Sequence, residues 1–294
     1  MKKQVYKGAI LLFVSFLMCT FSVNLFSQEE VTEEKPKEKP VRSLFESGLL
    51  IDNPTPINTR KGSFELMIKH RFGTFADKWD NLYGVYGTSN IYMGVNYGIT
   101  NRLSVGFATE KYNKMQELSY KYTILNQTRS GSSPVAICYY GNIGLDANKE
   151  EFFGAEYKFI HRLSYFNQLL IARKFNEKLS VQLAPSFTHF NQVDSIYEND
   201  VFGISGGGRY KFWGDKSFIF EYSHPMPLKD FSNSENEPKP NMSFGIEIGT
   251  STHNFQVFVA NFDQIVSQKN YLKNQHEINN EGLLIGFNIL IRLN

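Results

Sequence analysis

The sequence predicts an all-β chain: a single antiparallel transmembrane β-barrel of about twelve strands, with fourteen as the alternative count. Three observations point there. From Gly62 onward apolar and polar residues alternate with a period of two, the signature of strands with unlike faces. The only long apolar run is Ala9 to Val23, and mean hydropathy is −0.33, which excludes a bundle of membrane helices. The connections between the expected strands alternate between long and short, as they do in outer-membrane barrels.

Taken in order, Lys2, Lys3 and Lys7, the apolar run from Ala9 and the small Ser27 make the three regions of a secretory signal peptide, so cleavage after Ser27 is expected and residues 1–27 leave the mature chain. Met18 is too large to precede a lipidated Cys19. Removing three lysines and no acid takes the net charge from +2 to −1, leaving no basic field for nucleic acid. It also leaves Cys138 unpaired in an exported protein, so stability must come from packing and backbone hydrogen bonds. Residues 28–40 are dense in Glu, Lys and Pro; a disordered, charged periplasmic linker over residues 28–44 is expected, followed by the barrel domain over 45–294. Within Val41 to Thr59, the apolar Leu44, Phe45, Leu49, Leu50 and Ile51 precede Pro54 and Pro56, which suits an ordered lead-in docked before the first strand.

The strands are expected near residues 62–72, 88–99, 103–112, 116–126, 133–144, 160–175, 178–190, 200–212, 217–224, 241–251, 254–262 and 281–293. Most have the roughly 9 to 11 residues that a tilted strand needs to cross a bilayer. Connections such as 73–87, 145–159, 225–240 and 263–280 are long, while 100–102, 176–178 and 252–253 are short. An even strand number puts both termini on the periplasmic side, beside the linker. A water-soluble β-sandwich fits the same alternation; the export signal, the strand lengths and the loop alternation favour the barrel.

Read together, Phe45-Glu46, Leu50-Ile51-Asp52-Asn53, His70-Arg71-Phe72-Gly73-Thr74, Tyr97 to Leu103, Gln127 to Gly131, Tyr139 to Asn142, His161 to Tyr165, Ala172 to Ser180, Gly206 to Arg209, Lys239 to Asn241, Gly245 to Thr250 and Gly286 to Asn288 resemble the domain-of-unknown-function 5777 family of bacterial outer-membrane β-barrels. The resemblance covers about residues 45–293. It implies a barrel in a Gram-negative outer membrane and no activity, since the family has no established one. The chain departs from the family in ending on Leu293 and Asn294 rather than on an aromatic residue.

If the apolar face meets lipid, the alternate face lines the lumen, and its charged members are Glu65, Lys69, Arg71, Glu110, Lys121, Arg162, Arg209, Glu221, Glu247 and Arg292. They suggest a slightly basic, porin-like conduit, or an ion-pair network filling a narrow interior. Tyr83, Tyr86, Tyr92, Tyr97, Tyr112, Tyr165, Tyr197, Tyr210 and Trp213 fall near strand ends, where interfacial aromatic belts are expected. Gly206-Gly207-Gly208 marks a bend or close packing, and Pro185 a bulge.

An enzyme is not expected. His161 and Ser164 lie three apart on a strand and point to opposite faces, the pair Ser251 and His253 flanks a turn, and no G-x-S-x-G elbow occurs. The spacings H-E-x-x-H and C-x-x-C-H are absent, so no metal, cofactor or catalytic residue is assigned. Expected partners are outer-membrane lipid, the barrel-assembly machinery during biogenesis and a periplasmic protein met through the linker, with no nucleic acid. The expected roles are a narrow passive pore for small solutes or a membrane scaffold, then a surface-binding barrel with a plugged lumen, and last an outer-membrane lipid hydrolase.

Overall fold

The structure, a computed structural model, describes residues 38–228, 236–279 and 281–293. The expected signal peptide, and the linker up to residue 37, lie outside the described residues. The strands are β1 (Phe64–Thr74), β2 (Asn90–Gly98), β3 (Leu103–Glu110), β4 (Met115–Leu125), β5 (Ala136–Asp146), β6 (Leu163–Lys174), β7 (Leu179–Phe190), β8 (Asp200–Trp213), β9 (Lys216–Pro227), β10 (Asn241–Gly249), β11 (His253–Ala260) and β12 (Leu284–Leu293). Each pairs antiparallel with its sequence neighbours, and β12 returns to β1 through the register Phe64↔Leu293 to Arg71↔Gly286, closing a barrel of twelve strands. Closure leaves no sheet edge with unpaired N–H and C=O groups, the condition for crossing a bilayer on strands.

The burial pattern separates the barrel from a soluble sandwich. Phe64, Leu66 and Ile68 on β1, Phe218, Phe220 and Tyr222 on β9, and Phe244, Ile246 and Ile248 on β10 are exposed, while Glu65, Lys69 and Arg71, then Ser217, Glu221 and Ser223, then Ser243 and Glu247 are buried. A soluble fold would turn the apolar row inward. Here the polar row is inside, the arrangement that lipid demands.

Two details differ from expectation. The register runs unchanged across Pro185, which sits opposite Ile204; the bulges fall instead at Arg71/Thr74, Thr123/Leu125 and Lys211/Trp213. A proline costs a ladder one donor, and the β6–β7 pairing loses rungs beside it without needing an extra residue. Tyr92, expected in the aromatic belt, is buried inside, with its hydroxyl donating to Glu117 at 3.1 Å. Trp213, Tyr86, Tyr112 and Tyr210 are exposed.

The connections at the end that holds the start of β1 and the end of β12 are mostly short. Those at the opposite, loop end are long except the four residues between β3 and β4; the connection between β11 and β12 contains one short helix, α1 (Ser267–Lys273).

Candidate lumen site

An eight-stranded barrel fills its interior with its own wall side chains, but a twelve-stranded one is wider. This wall is also lined by small groups, including Ser104, Ser164, Ser180, Ser186, Ser205 and Ser223, all buried. The space they leave is filled by two separate stretches of chain.

The first is the stretch before β1. Its start, over residues 39–41 of the expected linker, pairs with the β4–β5 connection through Val41 N–H to Gln127 O (2.9 Å) and Arg129 N–H to Lys39 O (3.0 Å). Leu44, Phe45, Leu50 and Ile51 then join a buried cluster with Ile219, Phe258, Ala260 and Leu284 of the wall. At the tip Leu50 N–H donates to Asn53 O (2.9 Å), forming a tight turn inside the barrel. Beyond it Asn58 bonds Thr123 and Ser104, and the chain runs into β1.

The tip is held by the charges that sequence analysis singled out. Glu221 Oε2 accepts the backbone N–H groups of Ile51 (3.1 Å), Asp52 (3.1 Å) and Asn53 (3.0 Å). Three converging amides form an anion-binding nest, here filled by a wall carboxylate. Asp52 Oδ1 in turn meets Lys69 Nζ at 3.1 Å and Arg71 Nη2 at 2.9 Å. Asn53 Oδ1 accepts from Gln168 (2.8 Å) and Ser205 (3.0 Å), and its amide donates to Ser223 (3.1 Å). Nearer the terminal end, Arg209 bridges Glu46 (3.0 Å) and Glu247 (2.7 Å), Arg292 donates to Glu46 O, and Lys121 to Gly48 O (3.3 Å). Charged hydrogen bonds of this kind contribute about 1.5 to 3 kcal/mol each, beside a comparable contribution from burying Leu50 and Ile51 in the apolar cluster.

The remaining candidates lie elsewhere. Glu65 lines the same lumen, with Asn96 at 3.5 Å. Glu110 sits at the loop end, accepting from Asn90 (2.6 Å) and Asn113 (2.7 Å). Arg162 precedes β6 in a 3-10 turn, over the rings of Phe153 and Tyr157, and holds the carbonyls of Asp146 and Asn148. It belongs to the loops rather than to the strand wall, because β6 starts at Leu163.

The second insert comes from the loop end and was not foreseen. Between β11 and β12, Phe262, Ile265, Val266 and much of α1 are buried inside the barrel. Tyr271 and Leu272 cluster with Phe166, Phe190 and Val201, Gln268 bonds Asn142, and Lys269 faces Asp146 at 3.6 Å. Its signal is visible in hindsight: Phe166 on β6, packed on Tyr271, and Leu284 on β12, clustered with Phe262, put large apolar groups on the inward face as well as the outward one. Apolar inward positions mark where something other than water covers the wall.

Between the two inserts lies a cavity bordered by Asp52, Lys69, Glu117, Lys121, Tyr140 and Ile265. His189 spends Nδ1 on Asp200 (2.6 Å) and Nε2 on Asn191 (3.1 Å), and His161 Nδ1 accepts from the Lys158 backbone. Among the described residues no group of three or more His, Cys, Asp or Glu is set to hold a metal.

A closed antiparallel barrel with an apolar outer wall and a polar, chain-filled lumen defines a membrane β-barrel. Residues 45–293 match the family model described as a membrane bound beta barrel domain, and the chain belongs to that family, the domain-of-unknown-function 5777 family. Among curated protein sequences none matches. Similar solved structures include the NanC porin (11% identity, TM-score 0.48, covering 79% of this chain and 99% of that one). An outer membrane channel from Pseudomonas putida F1 (11%, 0.47, 83% and 100%) and LpxR from Salmonella typhimurium (13%, 0.36, 78% and 99%) are also similar.

Proposed function

We propose that the protein is a small-solute pore of a Gram-negative outer membrane, exported by residues 1–27 and held closed by its two inserts. The observation that carries this reading is the wall. It is lined by serines and charged groups suited to a water-filled conduit, and its closure is supplied by chain segments seated on it rather than by the wall's own side chains. The end that holds both termini then faces the periplasm, and the inserted turn at residues 50–53 reaches the lumen from that side. A scaffold that presents residues 28–57 to a partner fits less well, because Leu44 to Thr55 is largely buried inside the barrel.

Planar-bilayer recording of refolded residues 28–294 tests this reading. The expected record is a mostly closed channel with brief steps. Pairing the tip to the wall as Asn53→Cys/Ser205→Cys, whose side chains now bond at 3.0 Å, silences it until a reductant is added. A correctly folded barrel that stays silent in both the unlinked and the reduced state overturns the pore.

A further inference from the structure

We propose that the cavity between the inserts is a binding site for a small carboxylate-bearing solute, recognised by Lys69, which borders it, and by Arg71, which reaches the same Asp52 oxygen from outside its lining, and that Asp52 is its intramolecular occupant. The proposal rests on the pore reading for the route by which a solute arrives. The site itself stands on the geometry. Lys69 and Arg71 are two apart on β1, so both point inward, and they are 5% and 0% exposed. Two buried cations side by side need an anion, and the single oxygen Oδ1 of Asp52 serves both.

Asp52 fills the site incompletely. Its Oδ2 and the Nε of Arg71 are buried without a hydrogen-bond partner among the described residues. A guanidinium binds a carboxylate best through two parallel bonds, yet here one nitrogen reaches Asp52 while Nη1 is turned to Asn288 and the His70 carbonyl. Carried on a turn, Asp52 reaches the pair from one side; a free carboxylate has no such tether.

The surroundings add charge and room. Lys121, also buried, borders the same cavity with the Gly48 carbonyl at 3.3 Å as its hydrogen bond. The carboxylates facing these cations are Asp52, Glu117, which takes the hydroxyls of Tyr92 and Tyr140 at 3.1 Å each, and Glu65, which flanks Gly48 opposite Lys121. Glu221 stands at the same tip but spends its Oε2 on the three backbone N–H groups of residues 51–53. With Asp52 withdrawn, Lys69 and Arg71 lose the carboxylate oxygen they share, and a solute carboxylate replaces it while its remainder occupies the adjoining cavity.

Chemical rescue of the refolded mature chain tests the site without requiring conductance. Asp52→Ala lowers the thermal midpoint of the barrel, and sodium formate or acetate restores roughly half or more of the loss at about 100 mM, by mass action on the folded state. Sodium chloride at equal ionic strength does not. Wild type, with the site filled, shows no carboxylate-specific shift, and Asp52→Ala/Lys69→Met loses the rescue. Equal shifts with formate and chloride, or the same shift in wild type, overturn the site. If Asp52→Ala does not refold, Asp52→Ser is read in the same way. Failure of both to refold with formate present also counts against the proposal. Rescue in a barrel that never conducts keeps the site and removes the pore; conductance without rescue does the reverse.

Discussion

Glu221 Oε2, on the wall strand β9, lies 3.0 Å from the backbone nitrogen of Asn53, and the same oxygen serves the N–H groups of Asp52 and Ile51. The contact spans 168 residues of sequence, and its acceptor is a side chain while its donors are main chain. Substituting the tip residues therefore leaves the donors in place, whereas substituting Glu221 removes the acceptor from all three at once.

Glu221→Gln keeps size and polarity but replaces the ionised acceptor with a neutral amide. Seating of the turn weakens by about 2 to 4 kcal/mol, because a charged hydrogen-bond set becomes a partly satisfied neutral one. Hydrogen–deuterium exchange at residues 50–53 rises by orders of magnitude while the strand amides of β8 to β10 stay protected. Unchanged exchange at the tip counts against Glu221 as its anchor.

The loop-end insert has an independent lever. A Cβ at Gly203 on β8 would come within 2.1 Å of the Tyr271 ring, so a larger residue cannot coexist with Tyr271 in place. Gly203→Val keeps a good strand former in the wall and displaces α1, at a cost of about 1 to 3 kcal/mol for overpacking. The expected outcome is a folded barrel in which a cysteine placed at Leu272, now fully buried, becomes reactive to a thiol reagent added from the loop side.

The strands were legible because lipid outside and polar groups inside impose a period of two that sequence alone displays. All twelve expected positions overlap the observed strands, from 62–72 against Phe64–Thr74 to 281–293 against Leu284–Leu293. The close-packing reading of Gly206 to Gly208 is met at Gly207, where an added Cβ would come within 2.4 Å of Leu50. The inserts were harder to read, since neither carries a period. Residues 44–58 show only a short apolar stretch broken by prolines, and 261–276 resembles an ordinary solvated loop until Phe166 and Phe258 on the inward wall are seen to need cover. The partners of the lumen charges were legible only in part: Glu247, which pairs with Arg209, was among the lumen candidates, whereas Asp52 and Glu46 stood only in the motifs of the family resemblance and not among the lumen charges.

The loop-end insert should also respond to acid. Burial pushes the Asp263 carboxyl upward, but the interaction with His276, 3.7 Å away, outweighs it, with Gln264 adding a hydrogen bond at 2.9 Å, so its pKa lies below the ordinary value. A depressed carboxylate stabilises the fold above its unfolded pKa of about 3.9, and that contribution is lost as pH falls below this value through the folded one. Exchange protection of residues 261–276 is therefore steady from about pH 6 to pH 4 and falls below about pH 4. In Asp263→Asn that step disappears. An identical step in this variant assigns it to another carboxylate.

Paired truncations on β11 separate inside from outside. Phe258 faces inward, 2% exposed, packed under the Arg71 guanidinium at 4.5 Å and against the first insert's cluster; its neighbour Val257 is 59% exposed on the outer wall. Phe258→Ala leaves a cavity between two rigid layers of chain, which costs about 3 to 5 kcal/mol. Val257→Ala leaves a gap that acyl chains refill, so its cost stays near the transfer of the lost carbon atoms, on the order of 1 kcal/mol. Urea unfolding of the refolded barrel in lipid vesicles measures both. The expected order is a large loss for Phe258→Ala and a small one for Val257→Ala; a soluble fold with its apolar row inside would reverse it.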